Sequence, residues 1–244
     1  MNWTFLHKLG SPKWFYEISG KWIPWLLVSS ALLIVSALVW GLAFAPPDYL
    51  QGNSYRIIFI HVPSSFLAQA IYMMMAAAGA VTLIWRVKLA DMSLSVMAPI
   101  GASFCILSLV TGAIWGKPTW GTWWVWDARL TSMLIQLFLY IGVIALRSAM
   151  SSVDTAARAC AILTLVGVVN IPIIKFSVNW WNTLHQGATL KLTEKPSMAP
   201  EMLWPLLLSI AGFYLFFTLM TVVRLRTEIL DRERKTQWVR KLLI

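Results

Sequence analysis

The amino-acid sequence predicts an all-α polytopic membrane protein. A single domain, residues 1–244, forms one bundle of six transmembrane helices with its N- and C-termini in the cytoplasm. Three observations predict it. Of 244 residues, 59% are hydrophobic and 12% charged, about half the charged fraction of a soluble domain, and the mean hydropathy is +0.70. Six runs of 16 to 24 residues contain no Asp, Glu, Lys or Arg, close to the roughly 20 apolar residues that carry a helix across a bilayer. The basic residues are shared unevenly among the connections, the bias that orients membrane proteins.

The first run, Trp22 to Phe44, ends near Ala43-Phe44-Ala45, which has the small-x-small look of a cleavage site. It is too long for a signal peptide and follows a bulky, aromatic prelude, so it reads as a permanent span. The second, Val62 to Trp85, holds Gln69 and Met73 to Met75, a methionine cluster whose ordinary use is packing. The third is Met92 to Trp115. The fourth, Leu130 to Leu146, and the fifth, Ala159 to Ile174, are short, so flanking cations such as Arg158 and Lys175 must reach out to the interface. Asn170 and Pro172 interrupt the fifth. The sixth, Met202 to Val223, leads into a basic tail from Arg224 to Ile244, expected to anchor on anionic lipid, with contact to a partner as the alternative. No internal repeat or Gly/Ser linker divides the chain.

Fourteen of the twenty Lys and Arg fall in the N-terminal segment, the second and fourth connections and the tail, and seven of these belong to the tail. That side is the cytoplasm. The outward connections are then Ala45 to His61, Gly116 to Arg129 and Lys175 to Glu201. They are the longer ones, where function tends to gather.

The net charge of +10 is accounted for by topology and calls for no nucleic acid. Cys105 and Cys160 lie in apolar runs without a C-x-x-C, which argues against a disulfide framework, a thiol redox centre or a covalently attached haem. Spans without ionisable residues argue against an ion-coupled transporter. No Ser or Cys stands beside a base in the outward loops, so no enzyme is expected.

Five of the fifteen tryptophans, Trp115, Trp120, Trp123, Trp124 and Trp126, crowd into twelve residues just before Asp127. An interfacial aromatic belt is one reading, and a binding platform is the other. If the chain is helical from Trp120 onward, Trp120, Trp123, Trp124 and Asp127 share a face, an indole shelf edged by a carboxylate. Gly116 and Gly121 would then let a flat ligand approach the backbone. His61, at the outer start of the second run, and His185, in the third outward loop, emerge on the same side, while His7 is on the other. A flat aromatic face, two neutral imidazoles and the cations Arg56, Lys117 and Arg129 are what a haem and its propionates require. The same cations would equally suit lipid phosphate. Zinc would want three or four close ligands, and neither a carboxylate nor a third outward histidine joins the pair. His61 and His185 are therefore expected as axial ligands of a haem iron.

The segment Trp115 to Leu130, WGKPTWGTWWVWDARL, resembles the tryptophan-rich WWD signature of the haem-handling proteins of cytochrome c maturation. With its six runs, His61-Val62-Pro63 opening the second, and WWNTLHQG around His185, the chain resembles the CcmC family of haem exporter proteins over nearly its whole length. Larger relatives in the superfamily have more spans and extra histidines. The resemblance implies a non-catalytic subunit of the bacterial inner membrane that holds haem b, non-covalently and transiently, at the periplasmic face. The haem edge would lie on the platform from Trp115 to Asp127, with the iron between His61 and His185. The partners implied are the haem chaperone CcmE, which receives the haem, the small membrane protein CcmD, and the ATP-binding cassette pair CcmA and CcmB, to which any ATPase activity would belong. Contacts of Arg56, Lys117 and Arg129 with propionates follow from charge and location alone. Two rivals stand beside this reading: a permease that carries haem across the bilayer, and a b-type cytochrome subunit, which would place histidines inside its spans, where the uncharged runs have none.

Overall fold

A computed structural model of the chain describes residues 8, 10–185 and 198–242. Among them there is no β-strand, and six helices are long and apolar enough to cross a membrane. The chain is an all-α, multi-pass membrane protein, as its patterning predicts. His7, Lys191, Lys195 and the end of the WWNTLHQG stretch lie outside the described residues.

The short helix α1 (Pro12–Ser19) leads into α2 (Ile23–Val39), which closes in a π-turn at Trp40–Phe44. A 3-10 turn at Asn53–Ile57 opens α3 (Ile58–Trp85), followed by α4 (Lys88–Trp120) and α5 (Ala128–Ala149). The fifth span is two pieces, α6 (Val153–Gly167) and α7 (Asn170–Trp180); α8 (Pro200–Arg232) and the short α9 (Gln237–Arg240) complete the order.

The helices overrun the uncharged runs, taking in Asp91, Lys117, Arg129, Arg147 and the tail from Arg224 to Arg232. A run read from sequence stops at the first charge. A backbone in hydrocarbon, however, must keep its hydrogen bonds until it reaches the interface, and long basic side chains reach water from inside the last turn. The connections shrink accordingly. His61, read above as the end of a loop, is the fourth residue of α3, so the expectation that no span carries a histidine does not hold.

Two prolines shape the spans. Pro172 has no amide to bond Val168, so Ile171 N donates to the Val168 carbonyl instead, at 3.0 Å. The Asn170 side chain pins this break to α5, donating to the Ser132 carbonyl at 2.9 Å and to Gln136 Oε1 at 3.1 Å. Pro63 likewise leaves the Phe59 carbonyl without its helical donor, and the hydroxyl of Ser209 on α8 fills the place at 2.5 Å.

α3 is central, packed on α4, α6 and α8, while α2 lies along α8. Tyr140 of α5 reaches into this core, donating to the Ala68 carbonyl at 2.7 Å, and its ring lies where a Cβ on Gly101 would be. Gly101→Ala is therefore expected to cost about 1–3 kcal/mol by overpacking, read as a lower thermal unfolding midpoint in detergent. Gly142→Ala, with its nearest neighbour at 3.4 Å, should leave that midpoint close to wild type.

At one end α1 and α9 meet, with the Tyr16 and Trp238 rings 5.6 Å apart. Arg226 lies over the Tyr16 ring at 3.8 Å and donates to the Tyr16 carbonyl and Ser19 Oγ. Asp91, only 4% exposed, accepts from both Arg147 and Arg232, and Arg232 also pairs with Glu228. Two of the seven tail cations, Arg226 and Arg232, are thus used inside the protein, a use that neither the lipid nor the partner reading of the tail foresaw.

Candidate functional site

The other end of the bundle gathers the residues singled out from sequence. α4 delivers Trp115 and Trp120 in its last two turns and stops at Gly121, whose φ of 79° closes the helix with its amide on the Lys117 carbonyl at 3.0 Å. The chain from residue 121 to 127 is not helical, so the indole shelf expected on one helical face does not form. Thr122 folds this stretch locally, accepting the Trp124 amide and donating to the Trp124 carbonyl at 3.0 Å. Trp123 and Trp126 point outward, 56% and 76% exposed. Trp124 is half-buried against Trp126, with ring centroids 5.4 Å apart. Gly116 is covered by the Trp120 ring and the Thr122 carbonyl rather than open to a ligand.

Asp127 begins α5 as its N-cap, Oδ1 accepting the Leu130 amide at 2.8 Å. Its other oxygen faces the histidine loop. Thr183 donates to Oδ2, and His185 Nδ1 lies 3.3 Å from the same atom. A carboxylate only accepts, so Nδ1 carries the proton and Nε2 keeps its lone pair. Thr183 also accepts the His185 amide at 3.1 Å, and the imidazole sits 4.6 Å from the Trp120 ring. Burial pushes the His185 imidazole below its ordinary value, partly offset by the Asp127 carboxylate, which favours the neutral ring. Burial works to raise Asp127, but the hydrogen bonds from Thr183 and Leu130 and the proximity of His185 outweigh it and hold the carboxyl below its ordinary range. Asp127 thus meets one of the two histidines, as a hydrogen-bond acceptor.

His61 is held between α3 and α4. Its Nδ1 is 3.1 Å from Thr111 Oγ1, and the Thr111 hydroxyl spends its hydrogen on the Leu107 carbonyl at 2.6 Å. The oxygen therefore accepts, Nδ1 carries the proton, and Nε2 is left with a long contact of 3.5 Å to Ser65 Oγ. Trp115 packs edge-on to the ring at 5.7 Å and donates to Gln51 Oε1 at 2.8 Å. The two imidazoles thus border one aromatic strip, His61 at Trp115 and His185 at Trp120.

The three cations differ in their partners. Arg56 donates to the Leu42 carbonyl and, at 2.7 Å, to that of Ala45, satisfying the end of the first span. Lys117 donates to the Gly121 carbonyl at 3.0 Å. Arg129, in the first turn of α5, acts electrostatically on His185 and Asp127 and has no ion pair among the described residues. Among the described residues no group of three His, Cys, Asp or Glu forms a separate metal site.

Sequence reasoning missed Thr111, Ser65, Gln51 and Thr183. Only Thr183 carried a local signal, a hydroxyl two residues before a histidine. Trp180 and Trp181, exposed on the same approach, were visible as a tryptophan pair ahead of His185.

The family model described as "Heme exporter protein C" matches residues 5–240. The "Heme exporter protein C" of Escherichia coli (strain K12) is 50% identical over 242 residues, covering 99% of this chain and 98% of the relative. That of Haemophilus influenzae is 51% identical over 240 residues, 98% of each. That of Paracoccus denitrificans is 42% identical over 223 residues, 91% of this chain and 92% of the relative. The match runs through all six spans and both histidine-bearing segments, and the chain belongs to the heme exporter protein C family.

Proposed function

We propose that this protein presents haem b, as transient cargo, at the periplasmic face of the bacterial inner membrane and hands it to the chaperone CcmE during cytochrome c maturation. One observation carries the reading: two imidazoles, from separate elements beside one tryptophan strip, each have Nδ1 committed to an acceptor and Nε2 without a strong partner. That is the tautomer an axial iron ligand needs.

The residues fit the cargo. Haem supplies an iron with two axial positions and a broad apolar ring, and the chain supplies His61 and His185, with Trp115, Trp120, Trp123, Trp124 and Trp126 and the Asp127 carboxylate around them. Arg129 is best placed to meet a propionate, since Arg56 and Lys117 would have to give up backbone carbonyls. The name carried by the relatives, heme exporter protein C, supports haem as the cargo. The protein acts as a non-catalytic subunit beside CcmD and the cassette proteins CcmA and CcmB, to which any ATPase activity belongs.

The test is purification in detergent followed by mixing with purified CcmE. A six-coordinate, low-spin haem spectrum that passes to CcmE is expected. Haem uptake into sealed vesicles that persists without His61 and His185, with no transfer to CcmE, would overturn presentation in favour of a permease.

A further inference from the structure

We infer that Asp127 and Thr183 form a latch that sets the His185 imidazole, and that His185 rather than His61 is the ligand that lets go when cargo leaves. The inference rests on the axial-pair reading above and adds positioning residues and an order of release to it.

The two histidines are mounted differently. His61 is part of a continuous helix, and its ring is enclosed by Thr111, Trp115 and the backbone at Gly112, where a Cβ would lie 3.0 Å from the imidazole. The turn that carries it is tied to α8 through Ser209 and the Phe59 carbonyl. Withdrawing His61 would mean disturbing α3 itself. His185 lies five residues beyond the end of α7, outside any helix. Among the described residues its ring lies against Trp120 and bonds one carboxylate oxygen, and Thr183 bridges that oxygen to the His185 amide.

The acceptors differ as well. Thr111 offers His61 a neutral hydroxyl, whereas Asp127 offers His185 a carboxylate, which forms the stronger hydrogen bond and makes the imidazole a better donor to a metal. The other oxygen of Asp127 caps α5, so the latch is seated on a rigid helix terminus. With the latch closed, His185 grips; with it open, a short non-helical segment carries the ring away. Among the described residues Arg129, on the same turn as the cap, acts on His185 alongside Asp127.

Carbon monoxide binding to the dithionite-reduced, haem-loaded full chain reads this directly, because the gas takes the position an imidazole vacates. One iron–nitrogen bond breaks and one iron–carbon bond forms, with no further redox change. Asp127→Ala is expected to bind carbon monoxide about tenfold faster than wild type, the scale set by loss of a ligand's outer partner, and added imidazole should restore its six-coordinate spectrum. Asp127→Asn, whose single amide oxygen keeps the helix cap while its NH2 group turns a donor toward Nδ1, guards against misfolding and should also bind faster than wild type. Thr183→Val should shift in the same direction, and Thr111→Val should stay within about twofold of wild type, because α3, Trp115 and the Gly112 backbone still hold the His61 ring in place. Equal acceleration by Thr111→Val, or wild-type rates in both Asp127 variants, would overturn the latch while leaving the axial pair standing. A wild-type spectrum that lacks two imidazoles would overturn the axial pair itself, so the two failures are distinguishable.

Discussion

Replacing His61 and His185 together with alanine is expected to abolish haem retention, and each single replacement to lower affinity by more than about a hundredfold. The scale follows from what outer partners are worth. Losing a hydrogen-bond partner of a metal-bound histidine costs about 10–100-fold, and losing the nitrogen itself removes the bond that partner only tunes. The measurement is haem per protein in the purified variants, from absorbance, with thermal unfolding as the control for folding. His185→Ala removes a ring from a loop and should leave the bundle intact. His61→Ala opens a gap between α3 and α4 and takes the donor from Thr111 Oγ1, but the Thr111 hydroxyl stays bonded through its hydrogen to the Leu107 carbonyl. An unaltered haem spectrum in the double variant would remove the basis for presentation by this end of the molecule.

The largest effect on stability is expected at the opposite end. Asp91 is buried and receives two guanidinium groups, from Arg147 at the end of α5 and Arg232 at the end of α8. Its removal leaves two largely buried cations without their shared counter-charge, a kind of loss that costs about 3–5 kcal/mol. Asp91→Ala should therefore unfold at markedly lower temperature or denaturant concentration than wild type. Combining it with Arg147→Leu should recover part of the loss, because the second change takes away one of the stranded charges. Additive losses in the double variant would show that the cluster does not act as a unit.

The six spans were legible because hydrocarbon tolerates no unpaired charge, so absence of charge over about 20 residues is a direct reading of the solvent. Span ends were not legible by the same signal. The helix continues past the first Arg or Asp, which is why His61 moved from a loop into α3 and Asp91 from a connection into a buried cluster. The tryptophan segment announced itself by composition, yet its shape depended on the left-handed Gly121 and the cap at Asp127, both local signals that the helical-face reading set aside. Both histidines were singled out from their loops. Their partners were hidden for a different reason: Thr111 lies 50 residues from His61 and Asp127 58 from His185, separations that only packing brings together. The same holds for Arg232, 141 residues from the carboxylate it meets. Its neighbourhood in sequence reads simply as basic tail.

The hydroxyl at position 209 and the ring at position 63 are physically coupled. Proline at 63 takes away an amide hydrogen, and the serine, 150 residues from the carbonyl left behind, supplies the substitute. Were residue 63 anything else, that carbonyl would bond within its own helix and a methyl group at 209 would serve. Changed alone, the serine leaves an acceptor stranded in a buried seam; changed with the proline, it leaves nothing. The serine is therefore dispensable only where the proline is already gone, while the proline can be replaced with the serine still in place.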